Sequence, residues 1–363
     1  MKIGVLTHHY VTNYGAFLQT YCLREAIAEL FPDADVYIID FINLKHSIIN
    51  RGGFFRYYPQ NETFKSWLDK NRLPRIFSNA RKTHMKLTKR VYSTKALNAL
   101  NLDTIVIGSD EVWNYLDSKS YLPVKFGVGI KNAKLLTYAA SAGGVTSYKT
   151  CPKEIKDGLK NFSALSVRDN NTNAFLQHIL GKQATRVLDP VFLHSIPSAS
   201  SKRIEQLTKQ PYILFYHFAA LNTKTKAEIS TYAKQHGLLL LGAGEYNSMY
   251  DLLSQSLTPF EWAELFKKAS IVFTGTFHGV VFSVVNQRPF YVCPNNPTRA
   301  EKISSLLDEL DLSQQLISAE QFQIKKMMQT SFSYDNTEIR LKTLRNNSLQ
   351  FLKNAILCQH QGD

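Results

Sequence analysis

Short apolar runs alternate with amphipathic segments along the first half of the chain. The run 3–7 is followed by a helical pattern over 16–30, in which Leu18, Cys22 and Ala26 recur every four residues. Further apolar runs predict strands at 36–40, 104–107, 134–139, 164–167 and 185–188. Buried strands that are separated by helices indicate a doubly wound parallel α/β sheet.

A second alternating unit follows the polar stretch 194–209. Strands are predicted at 212–217, 238–241, 271–273 and 289–292, and helices at 224–236, 259–268, 301–310 and 336–357. We expect a Rossmann-like domain over 1–198, a second over 205–335, and a C-terminal helix over 336–358 that packs back on the first domain. Ligands of such sheets bind beyond the carboxyl ends of the strands, so we expect the site in the cleft between the domains.

Composition excludes several classes of protein. The 363 residues are 44% hydrophobic and 20% charged, which is typical of a folded globular chain. No apolar run is long enough for a membrane span, and the N-terminus reads as a strand without signal-peptide features, so a cytoplasmic location is expected. The four cysteines are scattered, and the histidines show no metal-ligand spacing. We therefore expect neither a metal nor a cofactor.

The charge is concentrated in one segment. The chain carries a net charge of +14, and residues 51–95 hold twelve Lys and Arg against two acidic residues. Aromatic residues interleave with these charges, a mixture that suits anionic lipid head groups or a diphosphate. Nucleic acid is disfavoured because no recognition motif accompanies the segment. The segment lies in an insertion over 41–100, and the expected partner is the inner face of the plasma membrane; a solvated basic face is the alternative.

The stretch 274–279 is the strongest candidate for a catalytic site in the sequence. It joins the apolar run 269–273 to the apolar helix 280–285, which places His278 where a parallel strand gives way to a helix. Backbone N–H groups and the positive helix end are free to bind an anion there. A histidine protonated by such an anion can act as a general acid. The alternative is a histidine that only caps or packs at the corner.

Three other motifs also follow predicted strands. Asn13, Tyr14 and Gly15 connect the first strand to its helix, where Asn13 can cap the helix and Gly15 lets a ligand approach. The third predicted strand ends in a motif with two carboxylates, a hydroxyl, an amide and an indole: Ser109, Asp110, Glu111, Trp113 and Asn114. Arg168 ends another strand and suits an anion clamp, as does Arg299 in the loop before 301–310. The alternatives are a helix cap for Asp110, core packing for Trp113 and surface ion pairs for the arginines.

Together these motifs resemble the polysaccharide pyruvyltransferase family. The matching pieces, in order along the chain, are 13–19, 108–114, 138–141, 166–168, 188–190 and 276–279, followed by Arg299. The resemblance runs from residue 1 to about residue 310. It implies a GT-B-like fold and transfer of a pyruvyl group from phosphoenolpyruvate to a sugar, which forms a cyclic ketal. It also implies an acceptor from a surface-polysaccharide repeat of a capsule or exopolysaccharide, often on a polyprenyl diphosphate carrier.

The resemblance and the charge of phosphoenolpyruvate together suggest roles for the residues. His278 is the predicted general acid, Arg168 and Arg299 would hold the donor's phosphate and carboxylate, and Asp110 would accept the sugar hydroxyl proton, with Glu111 as the alternate. Further substrate-binding residues are expected at Asn13, Tyr14, Gly15, Ser109, Trp113, Asn114, Ser141 and Thr276.

One position departs from the family pattern. Thr276 stands where many members have arginine, so either Arg299 or Arg288 supplies the charge, or the donor is not phosphoenolpyruvate. Two other functions stay open. One is a glycosyltransferase that uses a nucleotide sugar, with 242–245 as its candidate loop. The other is a non-catalytic assembly or peripheral-membrane protein that keeps the fold.

Overall fold

The computed structural model describes residues 1–145, 148 and 150–358, which form two compact units. Of the described residues, the first unit comprises 1–53, 78–195 and 342–358. The second comprises 54–77 and 196–341. Residues 54–77, expected in the N-terminal domain with the rest of 41–100, thus belong to the second unit. One reason is that Ser66 donates a hydrogen bond to Gln255 of that unit at 2.5 Å.

Each unit is built on a five-stranded parallel sheet. The strands are β1 Lys2–Leu6, β2 Asp35–Ile38, β3 Thr104–Ile107, β4 Lys134–Thr137, β5 Phe162–Ala164, β6 Ser166–Val167, β7 Thr185–Arg186, β8 Tyr212–Tyr216, β9 Leu239–Gly242, β10 Leu252–Leu253, β11 Ile271–Thr274 and β12 Phe290–Val292. The first sheet has the order β2-β1-β3-β4-β5, the second β10-β9-β8-β11-β12, and β6 pairs with β7. The predicted doubly wound α/β class is confirmed.

Helices connect the strands. They are α1 Tyr14–Leu30, α2 Leu44–Phe55, α3 Phe64–Lys70, α4 Leu73–His84, α5 Thr94–Asn98, α6 Lys153–Leu159, α7 Asn170–Leu180, α8 Lys202–Leu207, α9 Thr223–Gln235, α10 Pro259–Lys268, α11 Phe277–Val285, α12 Pro297–Leu310, α13 Ile324–Gln329 and α14 Asp335–Leu357. Side-chain caps fix where several begin: Asn13 accepts from the N–H of Ala16 at 2.9 Å, and Thr258 forms a capping box with Glu261 before α10.

Several predicted boundaries differ from the structure. The strand predicted over 134–139 ends at Thr137, because Ala139 has a positive φ of 50° that leaves the extended region. The run 164–167 is divided between β5 and β6. The polar stretch 194–209 contains α8, whose six residues are too few to show a helical period.

The core of the first unit lies on both faces of its sheet. On one face Ile3, Val5 and Leu23 pack with Leu352 and Ile356, so the second half of α14 belongs to this core. On the other face Trp113 stacks on Phe126, with a centroid separation of 6.2 Å. Among the described residues, no helix has the length and apolar character needed to cross a membrane.

Candidate functional site

The loops after β1, β3 and β4 meet at the carboxyl edge of the first sheet. Asp110 forms a parallel bridge with Ala140, the N–H of Ser141 donates to the carbonyl of Asp110 at 2.9 Å, and the N–H of Trp113 donates to the carbonyl of Ser141 at 3.0 Å. The motif after β3 is therefore held against the loop after β4 by backbone hydrogen bonds. Parallel strands place their carboxyl ends at one edge, which explains why distant motifs meet here.

A cavity of about 290 Å³ opens at this edge. Its lining is mostly polar: His8, Val11, Thr12, Asn13, Ala16, His46, Asn50, Asp110, Glu111, Asn114, Asp117 and Ser120. Four of the predicted site residues are among them, namely Asn13, Asp110, Glu111 and Asn114. Carboxylates, amides and imidazoles in one small cavity can hold a ligand with several hydroxyl groups.

Lys125 lies under this cavity, and no sequence motif pointed to it. Its side chain is buried, and its ammonium donates to Nδ1 of His8 at 2.7 Å. Burial lowers the pKa of Lys125 to about 7, an effect that Asp110 opposes. Burial, followed by the charge of Lys125, lowers the pKa of His8 to about 3, so the imidazole is neutral. Nε2 of His8 lies 3.3 Å from the carbonyl of Glu111 and 3.2 Å from the ammonium of Lys125.

Arg168 is committed to the protein's own carboxylates. Its guanidinium donates to Asp110 at 3.1 Å, to Asp189 at 3.0 Å and to Gln19 at 3.2 Å, and its side chain is buried. Although burial favours its neutral form, the nearby carboxylates, first of all Asp110, raise the pKa of Arg168. These contacts hold the side chain of Asp110 in place, and the predicted role of Arg168 as an anion clamp on a substrate stays a prediction.

Trp113, a predicted substrate contact, packs in the core of the first unit. Trp113 is fully buried, and its indole N–H donates to the carbonyl of Lys125 at 2.8 Å. The core-packing interpretation therefore holds for this residue. The same bond fixes the backbone of Lys125 below the cavity.

Two predicted serines are buried as well. Ser109 donates to Oε1 of Gln19 at 2.8 Å, and Ser141 accepts from the N–H of Gly143 at 3.2 Å. Both hydroxyls bond within the protein, and their predicted substrate contacts stay predictions. Tyr14 and Gly15 are buried in the first turn of α1.

In the second unit, the stretch 274–279 forms the corner between β11 and α11. Thr276 is the N-cap: its hydroxyl accepts from the N–H of Gly279 at 3.0 Å. A Cβ on Gly279 would overlap Thr274, so only glycine lets the helix start this close to the strand. His278 lies half-buried in the first turn of α11, at the positive end of the helix.

The two arginines that were weighed for the missing charge lie at opposite edges of the second sheet. Arg288 precedes β12, at the amino edge. Arg299 lies in the first turn of α12, which follows β12, and it is exposed. Its charge opposes the rise in the pKa of Tyr216, at the carboxyl end of β8. Of the two arginines, only Arg299 therefore lies at the edge that carries His278.

A carboxylate and a second histidine also lie at this edge. The N–H of His217, after β8, donates to Glu245 at 2.8 Å, and Tyr250 donates to the same oxygen at 2.9 Å. Burial raises the pKa of the Glu245 carboxyl. The sequence pattern indicated 242–245 only as a candidate nucleotide loop, because nothing in it shows that β8 and β9 are neighbours.

The predicted residues fall into two sets. Asp110, Glu111 and Arg168 belong to the first unit, whereas His278 and Arg299 belong to the second. The convergence of both sets on one donor stays a prediction. In the described part of the chain, no group of three or more His, Cys, Asp or Glu side chains is arranged to hold a metal ion.

Comparison with solved structures supports the fold. UDP-GlcNAc 2-epimerase from Neisseria meningitidis, bound to UDP-GlcNAc, is 10% identical with a TM-score of 0.52, over 99% of this chain and 100% of that one. UGT71G1 from Medicago truncatula, complexed with UDP-glucose, is 9% identical with a TM-score of 0.51, over 98% of each chain. These neighbours are GT-B proteins, so the predicted GT-B-like fold is confirmed.

Sequence comparison identifies the family. No curated protein matches the chain in sequence. The family model for polysaccharide pyruvyl transferases matches residues 13–297, which span the predicted motifs through Thr276 and His278. Because that match covers well over half of the chain, the protein belongs to the polysaccharide pyruvyl transferase family.

Proposed function

We propose that this protein transfers a pyruvyl group from phosphoenolpyruvate to a sugar of a surface-polysaccharide repeat, forming a cyclic ketal across two hydroxyls. The observation that carries the proposal is the family match together with the polar cavity at the carboxyl edge of the first sheet. That cavity supports an acceptor site, since its carboxylates, amides and imidazoles suit the hydroxyl groups of a sugar.

The second unit supports the donor side. Phosphoenolpyruvate is a compact trianion, and the N-terminal ends of α11 and α12 offer positive potential at one edge of a sheet. Arg299 would contact the phosphate or carboxylate, and Thr276 would act by capping α11. A bound anion beside His278 would favour protonation of the imidazole, which the positive helix end otherwise opposes.

The proposed chemistry has two steps. His278 protonates the methylene carbon of the donor, and a sugar hydroxyl attacks the resulting oxocarbenium-like carbon while Asp110 accepts its proton. The bond to phosphate then breaks, and a second hydroxyl of the same sugar attacks the same carbon and closes the ketal as its proton passes to the departing phosphate. Glu111 is the alternate base. Arg168 is a positioning residue, because it fixes the carboxylate of Asp110 from behind.

The carrier and location follow from the charge. The basic segment 51–95 would bind the head groups of an anionic membrane or the diphosphate of a polyprenyl carrier. Its aromatic residues include Tyr57, Phe64 and Trp67, whose rings lie within 6.2 Å of one another. We propose that the enzyme works at the cytoplasmic face of the membrane, with neither metal nor cofactor.

The reaction can be tested directly. Purified protein is incubated with phosphoenolpyruvate and a panel of polyprenyl-diphosphate-linked and free oligosaccharides. We expect phosphate release that depends on the acceptor, and a glycan whose mass rises by one pyruvate less one water. No product with any diol-containing acceptor would contradict the proposal.

Donor identity is tested separately by thermal stabilisation. Phosphoenolpyruvate should raise the melting temperature of the wild type but not of Arg299→Gln. Arg75→Gln, an exposed arginine of the same unit, is the matched control and should respond like the wild type. Stabilisation by a UDP-sugar and not by phosphoenolpyruvate would instead favour the nucleotide-sugar glycosyltransferase.

A further inference from the structure

Helix α2 lies on the surface of the first unit, and its two long faces differ in their contacts. The structure describes all of its residues, and none of them is buried. Asn43 caps its start by accepting from the N–H of His46 at 3.1 Å. A helix without a buried face gains little from core packing, so polar contacts at its edges hold it in place.

One face of α2 covers the polar cavity. His46 and Asn50 are four residues apart and both line that cavity. Nδ1 of His46 lies 3.0 Å from the hydroxyl of Tyr10, and Oδ1 of Asn50 accepts from the N–H of Thr12 at 2.9 Å. These bonds tie α2 to the loop after β1 and fix which face points inward.

The opposite face carries exposed apolar side chains. Leu44 and Ile48 are also four residues apart, and 57% and 70% of their surfaces are exposed. At 100° per residue, the direction of Ile48 lies about 160° from that of His46 around the helix axis. The outward row therefore has no counterpart in the core of its own unit.

Exposed cations flank this outward row. Lys45 and Arg51 lie on α2 itself, and Lys119 lies on the adjoining loop, where Lys45 donates to the carbonyl of Ser118 at 3.3 Å. Apolar side chains flanked by basic ones are the pattern of a helix that lies in the interface of an anionic membrane. A protein partner would need acidic groups around an apolar pocket to match the same surface.

We propose that the outward face of α2 docks into the head-group region of an anionic membrane, with Leu44 and Ile48 inserted and Lys45, Arg51 and Lys119 on the lipid phosphates. The opposite face of the same helix then holds the polar cavity against the bilayer surface. A sugar carried by a membrane-bound lipid would meet the cavity without leaving the interface. The docking rests on α2 and Lys119 of the adjoining loop, whereas its link to catalysis rests on the proposed function.

Vesicle sedimentation tests the docking in the absence of substrates. The wild type should sediment with phosphatidylcholine vesicles that contain phosphatidylglycerol, and high salt should weaken the binding. Ile48→Ser should lower the partition coefficient about tenfold. Ile339→Ser is the matched control, because Ile339 on α14 is also 70% exposed, and it should bind like the wild type. Lys45→Gln combined with Arg51→Gln should remove most of the preference for anionic lipid.

Two results would overturn the docking: a wild type that ignores anionic vesicles, or an Ile48→Ser variant that binds them as well as the wild type. If Ile48→Ser instead converts a concentration-dependent dimer to a monomer and leaves vesicle binding unchanged, the face joins two copies of this chain. Transfer to a water-soluble acceptor without vesicles separates the two proposals. If the protein does not bind vesicles but still transfers to that acceptor, only the docking is refuted. If it binds vesicles but transfers to no acceptor, only the proposed reaction is refuted.

Discussion

The ammonium of Lys125 lies 2.7 Å from Nδ1 of His8, which lines the polar cavity, and Lys125 is buried beneath it. The imidazole is a neutral acceptor, so the pair carries one positive charge below pH 7, where Lys125 is protonated. That charge faces the cavity from beneath and acts on Asp110, His8 and His46 together. Among the described residues, no carboxylate is in direct contact with this ammonium. A buried cation of this kind costs stability, which suggests that it is retained for the site.

Replacing this cation should stabilise the fold in a pH-dependent way. The pKa of Lys125 falls from 10.5 to about 7 on folding, so the unfolded chain binds the extra proton between these values. The cost of burial is therefore complete below pH 7 and declines as the pH rises towards 10.5. At pH 6.5 we expect the free energy of unfolding of Lys125→Met to exceed that of the wild type by about 1–4 kcal/mol. At pH 9.5 this difference should be smaller.

Denaturant titration at both pH values measures this effect. Lys131→Met, an exposed lysine of the same unit, is the control and should show no such dependence. A gain for Lys125→Met that is equal at pH 6.5 and 9.5 would contradict the buried-charge argument.

Removing the guanidinium of Arg168 should lower the free energy of unfolding, whereas removing the ammonium of Lys125 should raise it. Asp189 is fully buried, and Arg168→Met would leave it and Asp110 without their shared cation. We expect a loss of about 3 kcal/mol in the free energy of unfolding. Arg168→Lys should recover only part of it, because one ammonium cannot reproduce the planar donor set. Urea unfolding of the variants measures this loss. An Arg168→Met variant as stable as the wild type would refute the role of Arg168 as the shared cation of the two carboxylates.

A methyl group at position 279, where β11 turns into α11, should destabilise the fold. Gly279→Ala places a Cβ against Thr274, and we expect a loss of about 1–3 kcal/mol with a displaced His278. Gly52→Ala is the control: it also lies in a helix, but its Cβ meets nothing within 4 Å. That change should stabilise the protein by about 0.5–1 kcal/mol. Equal effects of the two substitutions on the melting temperature would show that the close approach is unimportant.

Thr276 should matter through its cap and not as a donor ligand. Thr276→Ala removes the acceptor for the N–H of Gly279 and should cost about 1 kcal/mol. Thr276→Ser keeps the cap and should keep both stability and the KM for phosphoenolpyruvate. A large rise in KM with Thr276→Ser at unchanged stability would instead indicate direct contact with the donor.

The two carboxylates of the β3 motif should differ in their effect on turnover. Asp110→Asn keeps the shape of the side chain but removes its basicity, and we expect kcat to fall by about 10²–10⁴. Glu111→Gln, on an exposed side chain, should change kcat less than about tenfold. The reverse order in a phosphate-release assay would assign the base to Glu111.

Local signals identified most of the framework. The apolar runs at 104–107 and 212–217, the cap at Asn13 and the glycine at 279 each depend on neighbours in the chain, so they can be read from sequence. The burial of Trp113 and the ion pairs of Arg168 could not, because a side chain at a strand end faces either the cavity or the core. That choice depends on residues as distant as Gln19 and Asp189.

The sequence by itself determined the alternation of strands and helices, the order of the motifs and the excess of positive charge, since these follow from short-range periodicity and composition. Only the tertiary structure decided that Lys125 lies against His8, more than a hundred residues away, and that α2 turns His46 inward and Ile48 outward. Such pairings depend on which strands become neighbours in a sheet, and that is settled by packing of the whole chain and by no local pattern.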